Sequence, residues 1–275
     1  MKRTILISGI SSGIGAEIAD RLIRRGDRVL GLSRRRPANP GVSWHVADVR
    51  DASSVPPAID ALLAGQDRLD AVICNAGEGM LGSIEEVPVD EARDLFETNY
   101  FGVINVLQAV LPRLRAQGGG HVVIMASLSS RVPLPFQAHY AASKAALESL
   151  GMALRLETAP FGIKVSLVEP GDIQSNFNQA MRRRVWPDSP YATWLARCAV
   201  AITGNMDVAP GPAVVVDIVE RILDSPEPRA RYAVGPSALL VALASRMFPD
   251  SLNLKLIARH YRLSVDRGRF DRFGK

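Results

Sequence analysis

Near its start the chain reads Thr4-Ile5-Leu6-Ile7-Ser8-Gly9-Ile10-Ser11-Ser12-Gly13-Ile14-Gly15. The β-branched apolar run predicts a buried strand, and the glycines directly after it predict a tight turn. Beyond the turn, Ile14, Ile18 and Leu22 recur every four residues, which predicts a helix with one buried face. Gly26 ends this helix, and the apolar run at 28–33 predicts a second strand. The segment therefore predicts a strand–turn–helix–strand unit of an α/β fold.

The glycines of this turn allow the backbone to approach a ligand closely between the strand and the helix. The N–H groups and the positive dipole end of the following helix can hold phosphate groups. A tight turn without a ligand is the alternative, and the spacing of Gly9, Gly13 and Gly15 is wider than in the commonest dinucleotide fingerprint. The turn on its own leaves both interpretations open.

Tyr140 and Lys144 lie four residues apart, which places them one turn from each other on a single helical face. A free tyrosine phenol titrates at about pH 10. A nearby ammonium is expected to lower that pKa toward useful acid–base chemistry. A hydroxyl brought alongside, such as that of Ser127, can hydrogen-bond the oxygen of a reacting carbonyl. The pair alone is weak evidence, because the same spacing arises by chance in many helices.

Short apolar runs alternate with helical patterns along the rest of the chain. Strands are predicted near 41–46, 70–74, 121–125, 163–168 and 230–234, and helices near 51–64, 90–116, 136–159 and 207–223. Such alternation is typical of a parallel sheet buried on both faces. We predict a doubly wound α/β fold of the Rossmann type, with a mostly seven-stranded parallel sheet and helices on both faces. A catalytic domain over 1–235 is expected to carry a lid at about 174–208, and residues 236–275 are expected to pack on it as a helical extension.

A series of motifs runs between residues 8 and 171: Ser8-Gly9-x-x-x-Gly13-x-Gly15, Asn75-Ala76-Gly77, Asn99, Ser127, Tyr140-x-x-x-Lys144 and Pro170-Gly171. In order and spacing the series resembles that of the short-chain dehydrogenase/reductase family. Ser8 stands where the family more often has threonine, and it keeps the hydroxyl group. The resemblance implies an oxidoreductase that transfers a hydride between a nicotinamide cofactor and a carbonyl or secondary alcohol.

The resemblance also implies a role for each matched residue. Tyr140 would be the general acid or base, Lys144 would hold the nicotinamide ribose, and Ser127 would steady the developing alkoxide. Asn99 would hold a water that connects the lysine to solvent; taken alone, it is a structural residue. Cofactor binding would use Gly9, Ser11, Ser12, Gly13, Ile14 and Gly15 in the turn, Asp48 and Val49 at the adenine, Asn75, Ala76 and Gly77 after the fourth strand, and Pro170, Gly171, Ile173 and Ser175 after the sixth. A helix-entry role is the alternative for Asp48.

The second predicted strand ends in Leu32-Ser33-Arg34-Arg35-Arg36, without a carboxylate. An NAD enzyme usually ends this strand with an acid that accepts bonds from the ribose hydroxyls. A 2′-phosphate instead suits a guanidinium, which binds it by paired hydrogen bonds. We therefore predict NADP(H) rather than NAD(H), with Arg34 as the main contact, Arg35 as a second and Ser33 as a further donor.

Length and composition argue against several other classes. A chain of 275 residues suits one large α/β domain. It shows no secretory signal and no apolar stretch of the roughly 18 residues that a membrane span needs. Two cysteines, Cys74 and Cys198, and four scattered histidines favour a reducing cytoplasm and no metal site. The net charge of +5 comes without a nucleic-acid-binding module, so the basic tail is interpreted as solvated surface, with membrane or polyanion contact as the alternative.

The substrate is only partly indicated by the sequence. The predicted lid carries Phe177, Met181, Trp186, Tyr191, Trp194 and Leu195, which either line a roomy apolar pocket or pack between helices. In the extension, an apolar stripe is formed by Leu239, Leu240, Leu243 and Met247 and continued by Leu252, Leu256 and Ile257. Such tails resemble those of hydroxysteroid and retinol dehydrogenases, which implies a lipophilic ketone, aldehyde or alcohol. The stripe is expected to cover the cleft or a subunit interface, and contact with a membrane surface is the alternative.

Two other functions stay open at this point. One is a dinucleotide-binding regulator without turnover, and the other is a reductase of a polar or carrier-linked substrate. The family resemblance implies pairing through long central helices, and hence a homodimer or homotetramer.

Overall fold

Parallel strands form the central sheet of the computed structural model, which describes residues 2–236 and 238–263. The strands are β1 (Thr4–Ser8), β2 (Arg28–Ser33), β3 (Ser43–Val46), β4 (Ala71–Cys74), β5 (Met80–Leu81), β6 (Gly120–Met125), β7 (Ile163–Pro170), β8 (Arg182–Arg183) and β9 (Arg231–Val234). Within the described residues the main sheet has seven strands in the order β3-β2-β1-β4-β6-β7-β9, and β5 pairs with β8 apart from it. The central strands are almost wholly buried, as their apolar runs predict for a sheet covered on both faces.

Helices cover both faces of this sheet. They are α1 (Gly13–Arg24), α2 (Val55–Leu63), α3 (Val89–Phe96), α4 (Gly102–Ala116), α5 (Ala138–Thr158), α6 (Ala192–Val208), α7 (Ala213–Asp224), α8 (Ala238–Met247) and α9 (Asp250–His260). On one face α2, α4 and α5 build an apolar core, and on the other α1 packs against α7. Helices α1, α2, α4, α5 and α7 bury their apolar stripes against the sheet, which is the main source of stability in such a layered fold.

The chain winds outward from the middle of the sheet in two directions. Strand β1 pairs with β2 on one side and with β4 on the other, and all these pairings are parallel. Strand order therefore reverses between β1 and β4, and a crevice opens there at the carboxyl ends of the strands. The predicted doubly wound fold is confirmed.

Two helix boundaries differ from the prediction. The helix expected over 90–116 is interrupted by a π-helical turn at Glu97–Phe101, between α3 and α4. A π turn inserts one extra residue, and the apolar period of a sequence does not reveal it. The predicted start of the next helix at Asp207 was also wrong, because Asp207 belongs to α6 and α7 begins only at Ala213. Pro210 and Pro212 separate the two helices.

The predicted lid is partly helical, since it contains β8 and α6. Within the described part of the chain, no single helix has the length and apolar composition to cross a membrane. The pair α6 and α7 passes that test only when taken together, with a bend of 68° between them.

Candidate active site

A single cleft of about 1730 Å³ runs along the carboxyl edge of the sheet. It is lined by most of the residues that the sequence analysis selected: Gly9, Ser11, Ser12, Gly13, Ile14, Ser33, Arg34, Arg35, Asp48, Val49, Asn75, Ala76, Gly77, Ser127, Tyr140, Lys144, Pro170, Gly171, Ile173 and Ser175. Gly15 and Asn99 are buried behind this lining. The topology thus brings together side chains that lie far apart in the sequence.

The glycine turn needs glycine for two different reasons. Gly9 and Gly13 have φ values of +70° and +58°, a conformation that side chains with a Cβ rarely adopt. At Gly15, an added Cβ would lie 2.4 Å from the Gly9 carbonyl oxygen and 2.5 Å from Asn75 Nδ2. At Gly13, by contrast, an added Cβ meets nothing within 4 Å. The turn is therefore closed on the side of Asn75 and open at Gly13.

Asn75 fastens this turn to the end of β4. Its Nδ2 donates to the carbonyl oxygens of Ser8 and Gly9 at 3.2 and 3.0 Å. In return, Ser8 Oγ accepts from the backbone N–H groups of Asn75 and Ala76 at 3.1 and 3.3 Å. The Ser8 hydroxyl therefore links β1 to the segment after β4, and these bonds fix the geometry at the point where strand order reverses.

Tyr140 and Lys144 lie buried on one face of α5, as their spacing predicts. Lys144 Nζ donates to the carbonyl oxygen of Met125 at 2.9 Å and lies 6.0 Å from the centre of the Tyr140 ring. Burial lowers the pKa of Lys144 to about 8, because the ammonium has lost its water shell. The lysine therefore titrates much closer to neutrality than an exposed one.

Burial also dominates at Tyr140, where it raises the pKa of the phenol. The neighbouring hydroxyls of Ser127 and Ser129 act in the opposite direction. The expectation that Lys144 lowers this pKa was wrong: its ammonium bonds to the Met125 carbonyl, and desolvation of the phenolate is the larger effect. The phenol is protonated at neutral pH and is suited to giving a proton.

Ser127 stands beside the phenol at the start of a 3₁₀ turn, Leu128–Ser130. Its Oγ accepts from the backbone N–H of Ser129 at 3.2 Å and donates to the carbonyl oxygen of Pro170 at 3.4 Å. The hydroxyl is thus held between the turn and the end of β7, next to the Tyr140 phenol.

Asn99 sits in the π turn and is fully buried. Its Oδ1 accepts from the backbone N–H of Glu78 at 2.8 Å, while its Nδ2 donates to the carbonyl oxygen of Glu78 at 2.9 Å and to Ser143 Oγ at 3.0 Å. A Cβ added to Gly77 would lie 3.3 Å from Asn99 Oδ1 and 3.4 Å from Lys144 Nζ. The amide therefore holds the segment after β4 against α5 beside the lysine. This supports the structural role, and the water relay stays a prediction.

The arginines that follow β2 form one rim of the cleft. Arg34, Arg35 and Arg36 are all exposed and line it. Ser33 Oγ donates to the carbonyl oxygen of Arg35 at 2.6 Å and accepts from Trp44 Nε1 at 3.0 Å. The hydroxyl proton of Ser33 therefore shapes the loop that carries the guanidinium groups.

Asp48 lines the cleft at the end of the neighbouring strand, but its carboxylate has a partner. Arg50 donates to both Asp48 oxygens, the shortest bond being 2.6 Å, and holds the pKa of that carboxyl below its usual range. The carbonyl oxygen of Asp48 also accepts from the backbone N–H of Asp51 at 3.0 Å. Asp48 therefore lies in a turn before α2, whose N-cap is Ser54, and its two predicted roles, which are compatible with each other, stay predictions.

An ionic network behind the cleft was missed by sequence reasoning. Glu169, near the end of β7, is fully buried and pairs with Arg131 at 2.7 Å and with Arg231 at 3.5 Å. Glu148 of α5 pairs with both arginines. Because Arg131 follows the turn after Ser127, the network ties that turn to the strand that precedes the Pro170 loop. The available signal was a glutamate inside an apolar strand, which is buried at reasonable cost only with cationic partners.

Of the six apolar residues singled out in the predicted lid, Phe177 lines the cleft and the other five do not. Phe177 packs on the Tyr140 ring, with 5.7 Å between ring centres. Met181 and Leu195 are buried in an apolar cluster beside the cleft, Trp186 is exposed, and Tyr191 donates its hydroxyl to a surface glutamate. The packing alternative therefore holds for Met181 and Leu195.

The arginine run 182–184 secures the lid. Arg182 pairs with Glu78 at 2.8 Å and Arg184 with Glu91 at 2.6 Å, while β8 pairs with β5 alongside. Two of the three arginines are thus paired with acids that lie between β4 and the end of α3.

Helix α8 faces the rest of the protein with its small side chains and not with its leucines. In α8, Ala238 and Ala242 pack on Leu128, whereas the predicted stripe of leucines and Met247 is 48–76% exposed. The expectation that this part of the stripe covers the cleft was wrong, because the small residues of α8 face inward. In α9, Leu256 and Ile257 do line the cleft. Residues 264–275 of the predicted extension lie outside the described residues.

The lid helix, α9 and the loop after β7 meet at one point. Asn205 Nδ2 donates to Asp172 Oδ2 at 3.0 Å and lies 3.2 Å from His260 Nε2. Burial raises the pKa of Asp172, and the bond from Asn205 partly offsets that effect. The loop expected to contact the cofactor is therefore tied to both covering helices.

The sheet order and the glycine turn at the switch point define a Rossmann-type fold. A family model described as short chain dehydrogenase matches residues 3–186. The 3-ketodihydrosphingosine reductase of Bacteroides thetaiotaomicron is 34% identical over 252 residues, which cover 90% of this chain and 94% of that protein. Human 17-beta-hydroxysteroid dehydrogenase type 1 is 30% identical over 259 residues, which cover 84% of this chain and 77% of that protein.

Solved structures agree with this result. A short-chain dehydrogenase from Streptomyces avermitilis matches with a TM-score of 0.79 and 30% identity over 93% of this chain and 96% of the other. A short-chain dehydrogenase from Burkholderia cenocepacia, solved in complex with NADP, has the same fold, with a TM-score of 0.75 and 24% identity over 93% of this chain and 98% of the other. The chain belongs to the short-chain dehydrogenase/reductase family, and the predicted family is confirmed.

Proposed function

We propose that the protein is an NADP(H)-dependent oxidoreductase that interconverts an apolar carbonyl compound and its alcohol, with Tyr140 as general acid and base. The observation that carries the proposal is the convergence of Ser127, Tyr140 and Lys144 in the cleft that also holds the glycine turn. Family membership supports the reaction type.

The cleft fits a dinucleotide that carries a 2′-phosphate. At the turn, Gly13 faces open space, and the N-terminus of α1 offers N–H groups and a favourable dipole to phosphates. On the rim, Arg34 and Arg35 are exposed, and no carboxylate ends β2, so guanidinium groups are available for a ribose phosphate. When bound, NADP(H) supplies or accepts the hydride.

Other lining residues complete this assignment. Asp48 and Val49 would flank the adenine, Asn75, Ala76 and Gly77 would support the middle of the cofactor, and the loop with Pro170, Gly171, Ile173 and Ser175 would contact its nicotinamide end. Lys144 would hold the neighbouring ribose. All of these residues line the same cleft, which supports the assignment.

The protein's own groups account for the proton chemistry. Tyr140 would give its phenolic proton to the carbonyl oxygen in reduction and take it back in oxidation. Its raised pKa keeps that proton available at neutral pH. Ser127 would donate a hydrogen bond to the same oxygen. Lys144, with a pKa of about 8, can take either charge state near neutrality and so would be able to relay a proton.

An apolar substrate is supported by the walls of the cleft. Phe177 covers the Tyr140 ring from the lid side, and Leu254, Leu256 and Ile257 line the cleft from α9. Such walls favour a lipophilic carbonyl compound. The two relatives named above, a 3-ketodihydrosphingosine reductase and a 17-beta-hydroxysteroid dehydrogenase, are in line with this class.

Cofactor oxidation followed by absorbance at 340 nm tests the proposal. The substrates range from small ketones and aldehydes to steroids and retinal. We expect kcat/KM to be at least about tenfold higher with NADPH than with NADH, since each lost guanidinium–phosphate contact weakens binding by one to two orders of magnitude. Arg34→Ala should abolish the preference, while Arg24→Ala at the far end of α1 should leave it intact. A wild type that prefers NADH contradicts the cofactor assignment.

Tyr140→Phe tests the acid–base role. We expect kcat to fall at least ~100-fold, the usual size of a positioned acid–base contribution, with NADPH binding unchanged in a fluorescence titration. Tyr232→Phe, on β9 outside the cleft, is the matched control. Near-normal turnover of Tyr140→Phe would refute the assignment. NADPH binding without turnover on any carbonyl of the panel would instead favour a regulator or a polar or carrier-linked substrate.

We also propose a domain boundary, a cellular location and an oligomeric state for the protein. Residues 1–235 would form the catalytic domain on which the extension packs, and the protein would act in the cytoplasm as a homodimer or homotetramer. Light scattering after size-exclusion chromatography measures the oligomeric state, and a monomer would contradict it.

A further inference from the structure

We infer that the outward face of α8 and α9 docks on an anionic lipid bilayer, so that the cleft receives its substrate from the lipid. This inference rests on the proposed function, because it names the source of the lipophilic carbonyl compound. We define the docking face as the exposed apolar side chains of this region: Leu239, Leu240, Leu243, Met247, Phe248, Leu252, Leu254 and Leu256. Leu254, two residues from both Leu252 and Leu256, projects from another side of α9.

The docking face concentrates exposed apolar surface. It holds eight of the eighteen large apolar side chains that are exposed in the part of the chain the structure describes. Leu239, Leu243 and Met247 are spaced by four residues, which places them on one side of α8. Leu240 and Met247 are 70% and 76% exposed. A surface helix of a globular protein normally turns such a stripe to the core, so this orientation indicates an interaction site.

The same segment carries the net charge of the chain. Residues 236–275 hold eight lysines and arginines against three aspartates, a net charge of +5. Residues 1–235 hold 25 basic and 25 acidic residues and are neutral overall. Exposed leucines next to a local excess of cations match the chemistry of a membrane interface with anionic headgroups.

Charge also decides between a bilayer and a second copy of the chain. A two-fold interface brings the same surface of both subunits together. A dimer formed through the docking face would therefore bring two cation-rich segments together, since residues 238–263 alone hold four basic residues against one aspartate, and this is repulsive. An anionic bilayer supplies the opposite charge, and its acyl boundary accepts the leucines.

The docking face leads directly into the cleft. Leu254 and Leu256 are partly exposed and also line the cleft, so they stand at its mouth. Ile257 follows inside and shares an apolar cluster with Phe177, which packs on the Tyr140 ring. An apolar path thus runs from the outer surface to the phenol that would protonate the substrate. A lipophilic ketone could follow this path without crossing water.

Vesicle flotation of the full chain tests docking without any need for turnover. Vesicles of phosphatidylglycerol and phosphatidylcholine are compared with vesicles of phosphatidylcholine alone. We expect at least about tenfold stronger binding to the anionic vesicles, with loss at high salt. The triple variant Leu239→Gln/Leu240→Gln/Met247→Gln should lose at least about tenfold of this binding. Val46→Gln, at the opposite edge of the sheet on β3, is the apolar control.

Charge is tested separately. Arg259→Gln should weaken binding to the anionic vesicles about fivefold, the effect of one cation near such a surface, whereas Arg24→Gln on α1 should not. In the same preparations, kcat/KM for a ketone dissolved in the vesicles should fall at least about tenfold in the triple variant. Its kcat/KM for a water-soluble ketone should stay unchanged, because the three altered side chains do not line the cleft.

Equal binding to both kinds of vesicle, or binding that the triple variant retains, overturns the inference. A wild-type dimer that the triple variant converts to a monomer, without vesicle binding by either, assigns the face to a second copy and also overturns it. The proposed function fails independently: vesicle binding with no turnover on any carbonyl leaves docking in place and removes the oxidoreductase assignment.

Discussion

Replacing Lys144 by methionine should make the protein more stable while it destroys activity. The two side chains are similar in length, so methionine can fill the same space without the charge. In the structure the ammonium is buried on α5, and its hydrogen bond to the Met125 carbonyl does not offset the loss of water, as the lowered pKa indicates. A buried charge of this kind is kept for function at the expense of stability.

The size of the effect follows from the pKa. Burial lowers the pKa of Lys144 from 10.5 to about 8. A difference of about 2.5 pH units corresponds to about 3 kcal/mol of destabilisation at pH 7. The variant loses the bond to the Met125 carbonyl and leaves that oxygen buried, which costs about 1–2 kcal/mol. We therefore expect Lys144→Met to gain about 1–2 kcal/mol in the free energy of unfolding at pH 7.

The gain should depend on pH in a defined direction. Between pH 8 and 10.5 the unfolded chain still binds the Lys144 proton that the folded protein has released. The wild type therefore becomes more stable relative to the variant as pH rises through this window. By about pH 10.5 the penalty on the wild type is gone, and the bond to Met125 leaves the wild type the more stable of the two.

Equilibrium urea unfolding at pH 7, 8, 9 and 10 measures the effect, and absorbance at 340 nm measures turnover. Lys164→Met is the matched control, because Lys164 forms a surface ion pair with Glu227 and should change stability by less than about 1 kcal/mol at every pH. A Lys144→Met variant that is less stable than the wild type at pH 7, or a stability difference that does not change with pH, would refute the reasoning.

Three further substitutions test other parts of the site. Asn99→Ala should lower the free energy of unfolding by about 3 kcal/mol, because it removes three buried side-chain hydrogen bonds. Asn105→Ala removes one and should cost about 1 kcal/mol; equal losses in urea titrations would contradict this. Glu169→Gln should cost about 3 kcal/mol, because it removes the buried carboxylate of the network and leaves the half-buried Arg131 and Arg231 with one carboxylate fewer, and an unchanged urea midpoint would exclude a stabilising network. Gly15→Ala should weaken NADPH binding at least about tenfold in a fluorescence titration, since its Cβ would lie 2.4 Å from a carbonyl oxygen of the turn. Gly211→Ala meets nothing within 4 Å and is the control, and an unaltered Kd for Gly15→Ala would contradict the argument.

The fold could be predicted because its signals are local. Each central strand is a short apolar run bounded by glycine or polar residues, and each covering helix shows an apolar stripe at helical spacing. The π turn could not be predicted in the same way. Asn99 within it bonds to the backbone of Glu78, 21 residues earlier in the chain, and no periodic pattern records such a contact.

The sequence predicts which residues line the candidate site, but it does not predict the pKa values of Tyr140 and Lys144. Most selected residues line one cleft, and their roles remain predictions. The spacing of Tyr140 and Lys144 shows that the two are close, but it does not show how much water they have lost, which decides both pKa values. In α8 the stripe shows which side is apolar, but only the packing of Ala238 and Ala242 on Leu128 shows which side is buried.

The hydrogen bonds from Asn75 to the glycine turn have a consequence for how the protein folds during synthesis. The carbonyl groups of Ser8 and Gly9 receive their amide partner from a residue that is synthesised 66 or 67 positions later. A nascent chain that ends before β4 can form the first strand and helix, but its glycine turn lacks the group that closes it. The cofactor loop is therefore finished only when the centre of the sheet has assembled, and such non-local closure is slow compared with helix formation. On this reasoning the ability to bind a dinucleotide arises late in folding, although the residues proposed to hold its phosphates leave the ribosome first.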